Sequence, residues 1–354
     1  MATSVRLFTG AEMPTIGLGT WQSPPGAVRD AVISAIEAGY RHVDCAAFYG
    51  NESEVGAGLE DVISRGIVRR SEIFVTSKLW SMSAHPVSSF DATGSPLCVT
   101  PTLTQDEVAA ALGKTLADLR TPYVDLYLVH WPFFIAKGAP TFPPPEEFRL
   151  GYTPEQYLAV WRELEKAVDA GKARHIGTSN MSARKLEALL ASARVRPAAN
   201  QIELHPALAQ QRLVDWCLRR GIAVTAYCPL GSPDRPPRMI TDSDPSLLTD
   251  AAVVGIAAAH GVSPGQVLLR WAIQRGTIAI PKSVTPARIA QNLDVFSWSL
   301  TPAEVEALGR LDVNHRFVKG QPSTVGSQTW ESLWDEDFDY AASDAALEAA
   351  AQAK

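Results

Sequence analysis

Two hydrophobic periods alternate along this chain. Short runs rich in Val, Ile and Leu, suited to buried strands, are separated by longer stretches whose apolar positions recur at helical spacing. The opening VRLFTGAEMPTIGLGTW reads as a short hairpin turning at TGAEMP and leading into a first strand. GAVRDAVISAIEAG (26–39), closed by glycine, predicts a helix before the strand HVDCAA (42–47). NESEVGAGLEDVISRG (51–66) precedes IFVTSK (73–78). TQDEVAAALGKTLADL (104–119), opened by a Thr cap, precedes VDLYLVH (124–130). TPEQYLAVWRELEKAVDAG (153–171) starts with Thr-Pro at the N-cap and first helical position, then leads into ARHIGTSN (173–180). SARKLEALLASA with AANQIEL (198–204), and QRLVDWCLRRG with IAVTAYCP (222–229), continue the alternation. Two helical stretches, DAAVVGIAAAHG and SPGQVLLRWAIQRG, precede TIAIPKS (277–283), and TPARIAQNLDVF follows it. Eight strand patterns with helices between them predict an α/β fold, a closed parallel (β/α)8 barrel rather than an open sheet.

Three stretches break the alternation. Residues 81–103 are small, polar and proline-containing, and 133–156 are rich in proline and aromatic residues, so both read as loops. Beyond about residue 318 the pattern is irregular, with Trp330 and Trp334, before the end YAASDAALEAAAQAK. That end has strong helix propensity but little apolar face, which predicts a frayed terminal helix. We expect a barrel over 1–320, with the C-terminal loop and helix over 321–354 belonging to the same domain.

Composition narrows the class. With 354 residues, 46% of them apolar, the chain can bury a large core. A formal charge of −6 without any Lys/Arg run argues against nucleic acid or an anionic membrane as a partner. The start lacks a signal-peptide pattern, and no apolar run reaches the ~18 residues of a membrane span. Four cysteines, at 45, 98, 217 and 228, form no CxxC pair, so a reducing, cytoplasmic setting is expected. The seven histidines show no metal-ligand spacing, and no metal is expected.

Candidate chemistry lies where strands end. Asp44 lies in HVDCAA, Tyr49 follows in the loop AAFYGNE, Lys78 ends IFVTSK and His130 ends VDLYLVH. Each has an ordinary reading alone: a cap, a core aromatic, a snorkelling lysine, a satisfied buried imidazole. Together, on or just after strands two to four of a barrel whose sites lie at the carboxyl ends of its strands, they should converge. A phenol is a poor acid near neutrality unless a cation stabilises its phenolate. Lys78 can supply that cation, Asp44 can hold it, and His130 can bond a substrate oxygen. Such a group delivers a proton to a carbonyl oxygen, which requires a hydride at carbon and hence a nicotinamide cofactor. GLGTWQ lacks the third glycine of GxGxxG, and neither GxxxxGK[ST] nor YxxxK occurs. The strand-to-helix segment IPKSVTPARIAQN (280–292) offers another phosphate site, with Lys282, Ser283, Thr285 and Arg288 at a helix start. Two cations there point to the extra phosphate of NADPH. The competing reading is a solvated surface turn.

Ordered motifs support a family resemblance over about residues 5–317. GTWQ, HVDCAAFYGNESEVG, TSKLW, VDLYLVHWP, GTSN, NQIELHP, YCPLGSPDRP and IPKSVTPARIAQN resemble, in sequence, motifs of the aldo-keto reductase superfamily. The resemblance implies a (β/α)8 barrel, NADPH/NADP+ bound in an extended pose, a small-molecule carbonyl substrate and a monomer. It implies Tyr49 as acid, tuned by Lys78 and Asp44, with His130 orienting the carbonyl. Ser179, Asn180 and Gln201 would bind the nicotinamide amide and Tyr227 would stack on its ring. Thr20, Trp21 and Asp44 would also border the cofactor, and Leu230 and Ser232 would fold over the pyrophosphate. Lys282, Ser283, Val284, Thr285 and Arg288 would hold the 2′-phosphate end, with Gln291 and Asn292 at adenine. Many relatives carry Glu at the position of Gln291. Trp21, Trp80 and Trp131, with Tyr49 and His130, match positions that wall the substrate pocket. The span from Lys78 to His130 is longer than in typical members, its extra length within 81–103, which we expect to reshape the substrate mouth. The segment after Arg316 also departs from common members, where substrate preference is set. The expected reaction is reduction of aldehydes, with aldoses or other small polar carbonyls as candidates. The alternatives are ketones or larger apolar carbonyls, or a non-catalytic cofactor sensor.

Overall fold

A computed structural model describes residues 3–80, 105–136, 139, 142–321, 324–326 and 328–352. Strands β1 (Ser4–Arg6) and β2 (Glu12–Pro14) form the predicted antiparallel hairpin. Eight parallel strands follow the predicted order: β3 (Leu18–Gly19), β4 (His42–Asp44), β5 (Phe74–Leu79) and β6 (Val124–Val129) come first. After a small hairpin of β7 (Phe134–Ile135) and β8 (Arg149–Gly151) come β9 (Ala173–Ser179), β10 (Ala199–Glu203), β11 (Ala223–Tyr227) and β12 (Ile278–Ala279). Neighbours pair in the order β3-β4-β5-β6-β9-β10-β11-β12. Ile16 pairs with Ala279 and Gly19 with Lys282, so the last strand meets the first and the sheet closes into a barrel. A side chain at Gly19 would put Cβ 2.7 Å from the Ile280 carbonyl oxygen, so this seam needs glycine.

The period-2 pattern sorts side chains to the two faces of the wall. Phe74, Leu126, Leu128, Ala199, Ala223 and Ile278 form an inner cluster, and Leu7 and Met13 of the hairpin pack against it as a plug. The outward residues, among them Val43, Val75, Tyr127 and Val129, join the larger cluster under the helices. The helices are α1 (Val28–Ala38), α2 (Glu52–Ser64), α3 (Gln105–Asp118), α4 (Pro154–Asp169), α5 (Ala183–Leu190) and α6 (Gln211–Arg219). They continue with α7 (Ala251–His260), α8 (Pro264–Gln274), α9 (Pro286–Leu293), α10 (Pro302–Gly309) and α11 (Tyr340–Gln352). Their starts follow local chemistry: Thr153 accepts from the Gln156 amide beside Pro154, and Ser263 forms a capping box with Gln266. Among the described residues, no single helix is long and apolar enough to cross a membrane.

Three stretches carry more structure than the sequence pattern shows. The stretch 133–156 is not all loop, since β7 and β8 pair across it with a register shift; so short a pairing leaves no period-2 signal. Helix α10 was not expected, although Thr301 and Glu304 form a capping box at its start. The terminal segment forms the predicted helix, and polar contacts hold its first two turns. Trp216 Nε1 donates to Ser343 Oγ at 3.0 Å, and Arg220 Nη1 pairs with Asp344 at 2.8 Å. The anchors are polar, so an apolar-face argument did not see them. The long insertion at 81–103 lies outside the described residues.

Candidate active site

The four strand-end residues converge at one rim. Lys78, with no exposed surface, donates its ammonium to Asp44 Oδ1, to the Cys45 carbonyl at 3.0 Å and to the Tyr49 hydroxyl at 3.3 Å. Parallel pairing sets this arrangement, because Asp44 faces Thr76 across β4 and β5 and Lys78 lies two residues on, on the same face. Tyr49 ends a short 3-10 turn, Ala47–Tyr49, that folds the chain back over the rim. His130 follows β6 and carries its ring edge against Trp80 (centroids 5.2 Å apart) and Tyr49 (5.7 Å).

Burial and charge act in opposition here. Burial pushes the Tyr49 phenol up to about 12, with Lys78 opposing the rise. Burial also disfavours the Lys78 ammonium, but Asp44 and then Tyr49 outweigh it and hold the lysine above its ordinary range. Burial, helped by Lys78, keeps the His130 imidazole well below its usual value, so the ring is neutral at physiological pH. Its Nδ1 is buried without a partner among the described residues.

A cleft of about 1380 Å³ opens over this rim. Every predicted site residue lines it except Lys78, which lies behind Tyr49. Its middle is a network among strand ends. Ser179 Oγ donates to the Gln201 carbonyl at 2.9 Å, Asn180 Nδ2 donates to the His130 carbonyl at 3.0 Å, and the Tyr227 hydroxyl donates to Asn180 Oδ1 at 2.7 Å. Gln201 Nε2 donates to Asp44 Oδ2 at 2.7 Å, and Thr20 Oγ1 donates to the Asp44 carbonyl at 2.9 Å. Asp44 therefore joins Lys78 and Tyr49 to Gln201 on the far side of the cleft floor. Leu230 and Ser232 lie in the loop after β11, where Gly231 and Ser232 take the left-handed conformation (φ 80° and 45°). At the far end Lys282 pairs with Asp234 at 2.6 Å across the cleft. Ser283, Val284, Thr285 and the exposed Arg288 surround the first turn of α9, with Gln291 and Asn292 beyond.

The opposite end is aromatic. Phe48 stacks on Trp80 (4.0 Å, 24°), and Phe142 meets both edge-on at 5.1 and 5.3 Å. Trp21, Trp131 and Phe133 complete the wall, and Trp131 packs on Trp334 of the C-terminal segment. The sequence reading found the three tryptophans and missed Phe48, Phe133 and Phe142. Phe48 adjoins Tyr49, and its place in that tight turn was the available signal. Arg316, 3% exposed, also lines the cleft, its guanidinium 3.5 Å from the Trp334 ring centre.

Comparison with known proteins places this geometry. The aldo/keto reductase family model matches residues 15–312. An aldo/keto reductase of Synechocystis sp. is 47% identical over 93% of this chain and 95% of its own length. Aldo-keto reductase family 1 member A1-A of Danio rerio is 42% identical over 96% and 99%. Among solved structures, aldose reductase of Schistosoma japonicum superposes with a TM-score of 0.76 at 36% identity, covering 92% of this chain and 99% of that one. An aldo-keto reductase of Bombyx mori, solved in complex with NADP, gives 0.75 at 37%, covering 89% and 94%. The barrel, the closed strand order and the matched span agree: this chain belongs to the aldo/keto reductase family, whose members are NADP-dependent oxidoreductases.

Proposed function

We propose that this protein reduces aldehydes to alcohols with NADPH, and that Tyr49 supplies the proton. The observation that carries the reading is the contact of the buried Lys78 ammonium with both Asp44 and the Tyr49 hydroxyl, beneath a cleft of about 1380 Å³. The residues present fit the cofactor. Arg288 is exposed at the first turn of α9 and makes no ion pair among the described residues, and Lys282 stands nearby, as a 2′-phosphate needs. The Tyr227 ring lines the cleft with its hydroxyl fixed by Asn180, so its face is held in one orientation. Ser179, Asn180 and Gln201 offer amide and hydroxyl groups for a carboxamide.

Bound NADPH supplies a hydride to the carbonyl carbon. The residues of the chain handle the oxygen. As negative charge builds there, the Tyr49 hydroxyl donates its proton, and Lys78 stabilises the phenolate left behind. A phenol raised to about 12 is still the stronger acid, because an alkoxide is about as basic as hydroxide, whose conjugate acid water has a pKa of ~15.7. His130, being neutral, donates one N–H to the same oxygen without repelling Lys78. Asp44 keeps Lys78 charged and aimed.

The wall of aromatic rings around His130 favours a second reading of the substrate, an apolar or aromatic carbonyl rather than a free sugar. The three described cysteines are free thiols, which supports a reducing, cytoplasmic setting, and we take the protein to act there as a monomer. The test is to mix protein, NADPH and a panel of aldoses, aromatic aldehydes and ketones while following absorbance of the reduced cofactor. Tyr49→Phe should lose reduction and keep NADPH binding. Tight NADPH binding with no turnover on any carbonyl would instead favour a sensor.

A further inference from the structure

The mechanism uses the inner face of β5 and leaves a buried carboxylate on its outer face without a role. Glu52, the first residue of α2, is 4% exposed. No ion pair reaches it among the described residues. Its oxygens accept from two hydroxyls instead, Ser77 Oγ at 2.5 Å and Thr115 Oγ1 at 3.0 Å. Burying a carboxylate with no cation is unfavourable, and an exposed residue at a helix start would avoid it. Packing leaves α2 little freedom to turn this residue outward, because a Cβ at Gly56 would fall 2.1 Å from the Asp118 carbonyl oxygen of α3.

Glu52 ties the Tyr49 segment to the strand that bears Lys78. Residues 45–51 carry Tyr49 between β4 and α2, and three contacts pin the end of this segment and the first turn of α2. Asn51 Nδ2 donates to the Thr20 carbonyl at 2.9 Å, and the Gly26 amide donates to the Glu54 carboxylate at 3.0 Å. Both of these reach the loop after β3. Glu52 reaches β5 instead, at Ser77, one residue before Lys78. Several ionisable groups face it. Lys78 comes from β5, Tyr127 from β6, Lys114 and Asp118 from α3, and Cys45 from the end of β4. Lys78 thus has Asp44 on its inner side and the Glu52 carboxylate on its outer side. Burial raises the Glu52 carboxyl, and the Ser77 and Thr115 hydroxyls oppose that rise.

We propose that Glu52 is a positioning residue for the proton donor: it fixes the Tyr49 turn against β5 and places a second negative charge behind Lys78. The proposal rests on the reading of Tyr49 as the acid. Its consequence is electrostatic. The groups facing Tyr49 are Lys78, Asp44, Cys228, Tyr227 and His130. Removing a negative charge from behind Lys78 leaves the ammonium more effective toward the phenolate, so Tyr49 ionises at lower pH.

The test is Glu52→Gln, which keeps the shape and loses the charge. Tyr49 ionisation is read without cofactor, as the tyrosinate absorbance difference between each protein and its Tyr49→Phe counterpart after a stopped-flow pH jump. The midpoint should fall by on the order of one pH unit, the size a single nearby charge contributes at an effective dielectric of ~20. A folded Glu52→Gln protein with an unmoved midpoint overturns the electrostatic part. Ser77→Ala keeps the charge and frees one carboxylate oxygen. It should lower kcat several-fold while substrate KM and the NADPH Kd, read by cofactor fluorescence, stay at parental values. A parental kcat overturns the tie, and this variant answers even if Glu52→Gln fails to fold. Tyr49→Phe alone separates the two levels. If it keeps its activity, the reading of Tyr49 falls. If it is inactive while Glu52→Gln leaves the midpoint unmoved and Ser77→Ala keeps the parental kcat, only the role of Glu52 falls.

Discussion

Replacing Lys78 with methionine removes the cation that holds the site together, and its effects on stability and on activity can be separated. Lys78 and Asp44 are both essentially without exposed surface. In Lys78→Met the Asp44 carboxylate keeps one donor, Gln201 Nε2 at 2.7 Å, and loses its counter-charge. Breaking a buried pair from one side costs about 3–5 kcal/mol. At roughly 2 °C per kcal/mol for a large domain, Tm should drop by about 6–10 °C. Adding Asp44→Leu removes the stranded carboxylate, so the double variant should recover most of that loss. Activity should not recover, because the phenolate of Tyr49 has lost its cation; a general acid contributes about 10²–10⁴-fold, and kcat should fall by at least ~10²-fold in both variants. The sign of the pH dependence is fixed too. The folded-state pKa of Lys78 lies above that of the unfolded chain, so its contribution is complete below about pH 10.4 and is lost only as pH rises through the folded value. That contribution should therefore stay constant from about pH 6 to 9, and any narrowing of the gap between parent and Lys78→Met toward low pH would report protonation of the stranded carboxylate. The assay pairs thermal and urea unfolding with initial rates on one aldehyde. A double variant as unstable as the single one, or one that regains turnover, refutes the assigned roles.

Other consequences are simpler to measure. Arg288→Ala should weaken NADPH by about 1–3 kcal/mol and leave NADH nearly unchanged, read by cofactor fluorescence; equal losses count against a 2′-phosphate contact. Since His130 stays neutral, kcat for reduction should show no imidazole titration between about pH 6 and 8, and a break near 6.5 would show a charged ring in the cycle. Phe48→Leu should lower kcat/KM for aromatic aldehydes more than for aldoses, by the roughly 0.5–1.5 kcal/mol of one ring contact; an unchanged ratio removes Phe48 from specificity. Deleting residues 340–354 breaks the Trp216–Ser343 and Arg220–Asp344 contacts and should alter substrate preference through the segment that holds Trp334, with Tyr49-dependent chemistry intact. An identical substrate profile would show that the helix does not reach the pocket.

What could be read from the sequence follows from how each feature is encoded. The barrel was legible because two periods alternate, and a buried strand must be apolar wherever helices cover it. Three of the four strand-end residues were legible because a titratable side chain closing a buried strand must find polar partners, and Asp44, Lys78 and His130 each stand at such an end, with Tyr49 in the turn that follows. Other features depend on partners far away in sequence, which no local pattern encodes. Gln201 reads locally as an amide inside a buried strand, and only the closed barrel sets it on Asp44, 157 residues away. Asp344 looks like one more polar residue in an alanine-rich helix until Arg220 is beside it. Phe48 sits next to a predicted acid, yet stacking on Trp80 required the turn geometry of Ala47–Tyr49. Glu52 is the clearest case. At the start of α2 a carboxylate is expected on helix-dipole grounds alone, so its local explanation is complete and conceals the bond to Ser77. A residue with a sufficient local reason is where sequence reasoning stops too early, and burial is the signal that it should go on. A helix-start carboxylate that only served the dipole would face water; this one faces the strand that carries Lys78.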